Sequence, residues 1–508
     1  MSAPSPPPSP SRPSRTVAVP AALAVLAVLL VAVGAYGLGR ASDGFTVREI
    51  TVGGVPLTEV RAAPAGTQRR PAVVVAHGFA GSARLMRPIA DTVARTGAVA
   101  LLLDFAGHGA SPGRLGGTGR DGSEGTLAAD LDVAVAHLRG LPDVDPERIS
   151  LVGHSMGAGA VTRWAAEHPE IARTVAISLP DADDAPAGRP TGLLLVVGGA
   201  EFPDFRRAAE EAAGRDGGAG RRLVRVPGVE HISVLFAPRT HAELVGWLAP
   251  GAPGDARPAA RLVPAGLLLL GLGLGFVPLA TVLLGRRRPD PPARPARSAP
   301  PGRSAARGVV VATAAAGLGA LAAPVLPTTR LPLAVGGYLT GFLLVTGLLL
   351  GLAGRRWRSA MPPPAGHPGT TRSVVAAGLL TGYAVLAVAL PIHLGLTSAL
   401  PVGARWWLLP VVAAGSLVFL AGAERASGGH VGRHALVGLV AVVALTGSAA
   451  VGLAPGFVLL VVPLFALLVA GQVAWAAVLR RAGAPHWVPP VVGAALLAWP
   501  VATTLPLT

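Results

Sequence analysis

Gly153-His154-Ser155-Met156-Gly157 is the stretch whose reading decides the fold. An apolar run, Ile149-Ser150-Leu151-Val152, leads into it, and a helix-like segment, Ala158 to Glu167, leads out. The pattern is G-x-S-x-G on a strand-to-helix turn, a sharp bend that pushes the serine hydroxyl out where a substrate carbonyl can reach it. Glycines two residues either side of Ser155 suit a bend too tight for side chains.

Working outward, strand-like and helix-like segments alternate through residues 40–260. Phe45–Val52 and Val55–Arg61 read as an opening hairpin. Ala72–Ala76, Ala98–Leu103, Ile149–Val152, Thr174–Leu179, Gly192–Val197 and Arg222–Val226 read as short apolar strands. Helical patterns fall near 84–95, 124–139, 156–167, 203–213 and 238–248. Alternation of this kind predicts an α/β fold, a mainly parallel sheet with helices on both faces. Ligands of such sheets bind beyond the carboxyl ends of the strands.

Polar residues collect at those ends. Ala72–Ala76 runs into His77-Gly78-Phe79-Ala80-Gly81, and Leu101–Leu103 into Asp104-Phe105-Ala106-Gly107-His108-Gly109-Ala110-Ser111. Gly192–Val197 runs into Gly198-Gly199-Ala200-Glu201, and Val224–Val226 into Pro227-Gly228-Val229-Glu230-His231. A backbone N–H just past a strand, with glycine giving room, can bind a developing oxyanion. That role is assigned to the Phe79 amide, with the Met156 amide as the second donor.

These residues resemble an α/β-hydrolase over roughly 45–250, nearer the serine-esterase, dienelactone-hydrolase and serine-aminopeptidase-like branches than lipases with large lids. The resemblance rests on His77-Gly78, Asp104-x-x-Gly107-His108-Gly109-x-Ser111, the Ser155 pentapeptide and a late His231. It implies Ser155 as nucleophile and His231, after the last strand, as base, with His241 as rival. The family's G-x-x-D after the penultimate strand matches Gly198-Gly199-Ala200-Glu201, so Glu201 is the expected acid and Asp204 the alternative; Asp183 and Asp184 follow the preceding strand. Asp104 is expected to brace its loop, and His77, Gly78, His108 and His154 to shape the site. His137 and His168 read as surface histidines. The implied chemistry is acyl transfer through an acyl-enzyme, with no metal or organic cofactor required. Only eleven residues, Pro180 to Pro190, separate Leu179 from Thr191, where lidded relatives carry a cap, so an open site is expected. Gly113–Gly125 reads as a flexible Gly-rich connection.

The rest of the chain differs in kind. Residues 40–260 hold 25 of the 27 acidic residues and 23 of the 43 Arg, while the remainder carries 20 Arg against 2 acids. Those Arg lie between long apolar runs, which points to membrane flanks and away from nucleic acid. There is no Lys, and the absence of Cys excludes disulfides and thiolate chemistry. Residues 1–16 form a Pro/Ser tract expected to be a disordered cytoplasmic tail. Residues 17–39 read as an uncleaved transmembrane anchor, longer than a signal-peptide core. Spans follow at about 262–284, 308–327, 331–353, 373–395, 408–423, 435–453, 456–478 and 488–505 in a membrane domain over 261–508.

Charge orients them. With a cytoplasmic N-terminus the inner loops 285–307, 354–372, 424–434 and 479–487 hold fifteen Arg, and the outer loops only Arg330 and Arg405. The expectation is a multi-pass cell-membrane protein with residues 40–260 outside the cytoplasm. Trp406, Trp407 and Trp487 fall at span edges, as interfacial aromatics do. Few ionisable residues lie within the spans, with His393 and Glu424 near ends, which argues against ion-driven transport. Three functions compete: a serine hydrolase acting on a small-molecule or lipid ester, thioester or amide; an acyltransferase with a lipid hydroxyl as acceptor; and a non-catalytic hydrolase fold that binds or senses for the membrane domain.

Overall fold

The computed structural model describes residues 15–63, 69–117, 120–218, 220–252, 255–285, 301–358 and 371–508. The Pro/Ser tract before Arg15 and most of the Arg-rich segments expected at 285–307 and 354–372 lie outside the described residues. A single helix, α1 (Arg15–Arg40), precedes an eight-stranded sheet. The strands are β1 (Phe45–Val52), β2 (Val55–Ala62), β3 (Arg70–Ala76), β4 (Val99–Leu103), β5 (Val144–His154), β6 (Arg173–Ile177), β7 (Leu193–Gly198) and β8 (Arg222–Val226). Their order is β1-β2-β4-β3-β5-β6-β7-β8, antiparallel at the β1-β2-β4 edge and parallel from there on.

Alternation along the strands explains the two layers. Val73 and Val75 point to one face and pack with α2 (Arg87–Arg95) through Ile89 and Val93, and with α6 (Pro238–Leu248) through Leu244. Ala72, Val74 and Ala76 point to the other and meet α3 (Arg120–Gly140) through Leu131 and Leu138, and α4 (Met156–Glu167) through Trp164. On the same face as α4, α5 (Pro203–Gly214) covers β7 and β8. Strands apolar on both faces need such cover, which is why their sequences are continuous runs. The parallel register brings the carboxyl ends of β3 through β8 to one edge, and the polar loops with them.

Eight further helices follow: α7 (Leu262–Leu284), α8 (Pro301–Ala322), α9 (Gly336–Arg358), α10 (Thr371–Gly395), α11 (Arg405–Ser427), α12 (Val431–Ala450), α13 (Val458–Arg481) and α14 (Val488–Thr504). Among the described residues eight helices, α1 included, are long and apolar enough to cross a membrane, and α14 is shorter at 17 residues. Small residues set their packing, because close backbone approach is what holds apolar helices together without water to drive them. Gly347 of α9 faces the backbone of Phe419 on α11, and Gly271 of α7 faces Ala27 on α1. One buried charge cluster joins three of the helices: Arg480 Nη1 lies 2.7 Å from Glu424, which stands 3.4 Å from His434.

The helical region touches the sheet edge that carries the polar loops. Residues from the α10–α11 and α12–α13 connections and from the C-terminus lie against the loops after β3 and β4.

Two glycine substitutions should separate packing from propensity. A Cβ at Gly347 would stand 2.5 Å from Phe419 Cα, whereas one at Gly266 meets nothing within 4 Å. Gly347→Ala is therefore expected to lower the melting temperature of the detergent-solubilised protein, by an overpacking cost of roughly 1–3 kcal/mol. Gly266→Ala should leave it unchanged or raise it.

Candidate active site

The turn after β5 is built by close approach. Ser155 has φ 53° and ψ −120°, a left-handed conformation uncommon outside glycine. Its N–H donates to Ile177 O at 2.9 Å, and its carbonyl accepts from Gly159 N at 3.1 Å as α4 begins. A Cβ at Gly153 would collide with the Gly157 carbonyl, and one at Gly157 would stand 2.5 Å from His77 O. Any larger residue would push the helix off the strand and release the bend.

That bend aims Ser155 at a row of hydrogen-bonding groups. Ser155 Oγ lies 3.1 Å from His231 Nε2, and His231 Nδ1 lies 2.7 Å from Glu201 Oε1. Glu201 Oε2 accepts from Ser178 Oγ at 2.7 Å. The groups come from the carboxyl ends of β5, β6, β7 and β8, so the sheet register sets their spacing. Asp204 turns outward and pairs with Arg207 at the surface. Asp184 is paired with Arg163 at 2.5 Å, and Asp183 with Arg215 at 2.8 Å. His241 is spent elsewhere, with Nδ1 2.7 Å from Thr92 Oγ1 and Nε2 2.8 Å from Leu235 O.

On the other side of Ser155 stands the loop after β3. Gly78 is so close that a Cβ there would lie 3.0 Å from Ser155 Cβ, so the loop that carries Phe79 runs against the serine. Met156 opens α4, where the first N–H groups of a helix have no intrahelical acceptor. Asp104 accepts from Ala83 N at 2.7 Å and from Ala110 N at 2.9 Å, tying the β3 and β4 loops together.

The expectation of an open site is corrected. Ser155 is 6% exposed, His231 3% and Glu201 2%. No insertion between Leu179 and Thr191 is needed for this cover. The Phe79 ring is stacked on Phe457, at 4.3 Å and 18°, from the helical region, and Phe205 stands 4.6 Å from the His231 ring. Ser178, Phe205 and Phe457 were not singled out in the sequence. Ser178 could have been, since it follows a strand as the others do; nothing local marks Phe457.

Three further histidines surround the row. His154 Nε2 lies 2.9 Å from His231 O, and His77 Nε2 accepts from Phe105 N at 3.2 Å. His108 Nδ1 lies 3.1 Å from Ala106 O. Burial pushes the His77 imidazole below its ordinary value, and His108 and His154 well below theirs, with His231 also lowering His154. All three thus bind protons less readily when folded than in the unfolded chain, which takes them up near the ordinary value of 6.5. Because the folded values are depressed, stability is full above the unfolded value and falls as pH drops through it. A melting-temperature series from pH 8 to 5 should therefore decline below about pH 6.5, at a limiting slope of about 1.4 kcal/mol per pH unit for each excluded proton.

Residues 67–206 match the family described as serine aminopeptidase, S33. An uncharacterized protein of Mycobacterium tuberculosis is 38% identical over 102 residues, covering 20% of this chain and 34% of that protein. The chain thus spans about a third of the length of that curated relative. An esterase of Pyrococcus furiosus aligns over 42% of this chain and 96% of its own, at 22% identity and a TM-score of 0.33. The ferulic-acid-bound Est1E of Butyrivibrio proteoclasticus aligns over 40% and 99%, at 19% identity and a TM-score of 0.33. The sheet order and the family match together make residues 45–248 an α/β-hydrolase unit, within which residues 67–206 are similar to the S33 serine aminopeptidases, joined in this chain to a region of apolar helices.

Proposed function

We propose that the chain is a membrane-embedded serine hydrolase that cleaves a carboxylic ester, with thioesters and amides as related substrates, outside the cytoplasm. The observation that carries the reading is the unbroken row Ser155–His231–Glu201 at 3.1 and 2.7 Å, with its serine on a left-handed bend. In this mechanism His231 Nε2 takes the Ser155 proton as Oγ attacks the carbonyl carbon. Glu201 holds the Nδ1–H and stabilises the imidazolium, while Ser178 fixes the carboxylate from its other oxygen. The amides of Phe79 and Met156 receive the developing oxyanion. The intermediate collapses as His231 returns its proton to the leaving alcohol, and water, activated by the same imidazole, then frees Ser155.

Ser155 is the residue expected to react with a fluorophosphonate probe, and labelling that survives Ser155→Ala would refute the mechanism. Ser155→Ala and His231→Ala should each abolish nearly all turnover, with the double variant scarcely worse, because such residues act as a unit. Glu201→Gln should cost roughly 10⁴ in rate while Asp204→Asn costs little. Steady-state kinetics on the two carboxylate variants decides between the two acids.

The location follows from charge. Arg425, Arg433, Arg480 and Arg481 gather at the helix ends remote from the α/β unit, where positive-inside segregation places the cytoplasm. The chain has no cysteine, so single introduced thiols report cleanly. In intact cells lacking an outer barrier, Glu147→Cys should react with an impermeant maleimide and His430→Cys should not; the reverse pattern would place the hydrolase unit in the cytoplasm.

A further inference from the structure

The two loops nearest Ser155 are held by the helical region at several independent points. In the loop after β3, the Phe79 ring stacks on Phe457, the residue that opens α13. Three residues on, Ser82 Oγ lies 2.9 Å from Thr397 Oγ1 and accepts from Ser398 N at 3.0 Å. Ala80 packs on the core of the helices themselves. The loop after β4 is held by Arg405, whose side chain is fully buried at the start of α11. Its Nη2 donates to Gly107 O at 2.6 Å and to Leu505 O at 3.3 Å. Leu507 N also donates to Gly107 O at 2.8 Å, and Leu507 O accepts from Leu115 N at 2.9 Å. His108, on the same loop, stands edge-on to Phe79 at 6.0 Å.

Such contacts exceed what an anchor requires. Burying a cation is costly, and among the described residues no carboxylate lies within ion-pair distance of Arg405, so the carbonyls it satisfies, with longer-range attraction from Asp104, offset that cost. Those carbonyls belong to a hydrolase loop and to the C-terminal tail. The loop they steady packs on Phe79, whose amide is the oxyanion donor in the reading above. An oxyanion donor acts only if fixed in place before the reaction, since displacement by about 1 Å can cost on the order of 10²-fold.

The surfaces flanking the site are apolar. Phe79 and Phe457 form one side, and Phe202, Phe205 and Ile232 lie by His231, with Phe202 42% and Ile232 39% exposed. Phe457 caps a helix long enough to span a bilayer, and with that helix spanning one, a ring at its end falls near the level where lipid chains meet headgroups.

We propose that the helical region completes the catalytic site: Arg405 and the Thr397–Ser398 pair position the loops bearing the oxyanion donor, and Phe457 forms with Phe79 the wall for a long apolar chain of a membrane-lipid ester. Arg405 is a positioning residue; Phe457 is a specificity-determining one. The inference rests on the serine-hydrolase reading.

The test uses the full chain in detergent micelles with p-nitrophenyl esters from two to sixteen carbons. Phe457→Ala is expected to lower the ratio of kcat/KM for twelve-carbon over two-carbon ester by about tenfold or more, the scale of lost apolar pocket contact. Leu467→Ala, on the exposed face of α13, should leave that ratio unchanged. Arg405→Ala is expected to lower kcat about 10²-fold at every chain length with KM nearly constant, and Arg405→Lys to recover part of it. If Arg405→Ala fails to fold, Ser82→Ala removes the second clasp and should lower kcat in the same length-independent way. An unchanged ratio in Phe457→Ala overturns the lipid wall, and an unchanged kcat in Arg405→Ala or in Ser82→Ala overturns the positioning role. Wild-type protein that neither turns over an ester nor labels at Ser155 overturns the hydrolase reading itself, a result distinct from either.

Discussion

The close approach of β5 and α4 across Ser155 is the constraint on which the remainder depends. Gly153 and Gly157 let a strand and a helix meet with no side chain between, and the bend forces the serine between them into a left-handed backbone conformation. Such strain persists only where surrounding structure over-determines it. Here the determinants are the Ser155 N–H bond to Ile177, the parallel register of β5 with β6, and the packing of Gly157 on the end of β3. Because these strands share one direction, the same register delivers Ser178, Glu201 and His231 to the serine.

Burial then shapes the chemistry available around that point. The row Ser155–His231–Glu201 is nearly closed to solvent, so each polar atom in it needs a protein partner, and Ser178 supplies the one Glu201 would otherwise lack. The same desolvation disfavours the charged form of the surrounding imidazoles of His77, His108 and His154, which serve as hydrogen-bonding spacers. Asp104 is a contrast: it is buried too, but two backbone N–H groups from different loops converge on it, so its carboxylate acts as a clasp.

The closure itself comes from outside the α/β unit. The span from Leu179 to Thr191 is short, and cover arrives from residues more than two hundred positions later, Thr397, Arg405, Phe457 and Leu507. The helical region thereby meets the polar edge of the sheet with buried hydrogen bonds and a ring stack, contacts with defined geometry.

The sequence by itself determined the order of strands and helices, because continuous apolar runs between Gly-rich turns admit few other foldings, and each strand lies within a few residues of its pattern. It also named Ser155, His231 and Glu201, since the chemistry of a parallel sheet gathers at strand ends that can be read locally. It preferred Glu201 to Asp204, three residues on, from the motif alone; the direction of each side chain, Glu201 toward His231 and Asp204 toward Arg207, could not be read there. Nor could it show that Arg405, read as an outer-loop charge beside interfacial tryptophans, is fully buried against Gly107 and Leu505. Contacts of that range carry no periodicity, because they join surfaces whose individual patterns are each already explained. Tertiary structure alone decided that the site is covered, and by which part of the chain.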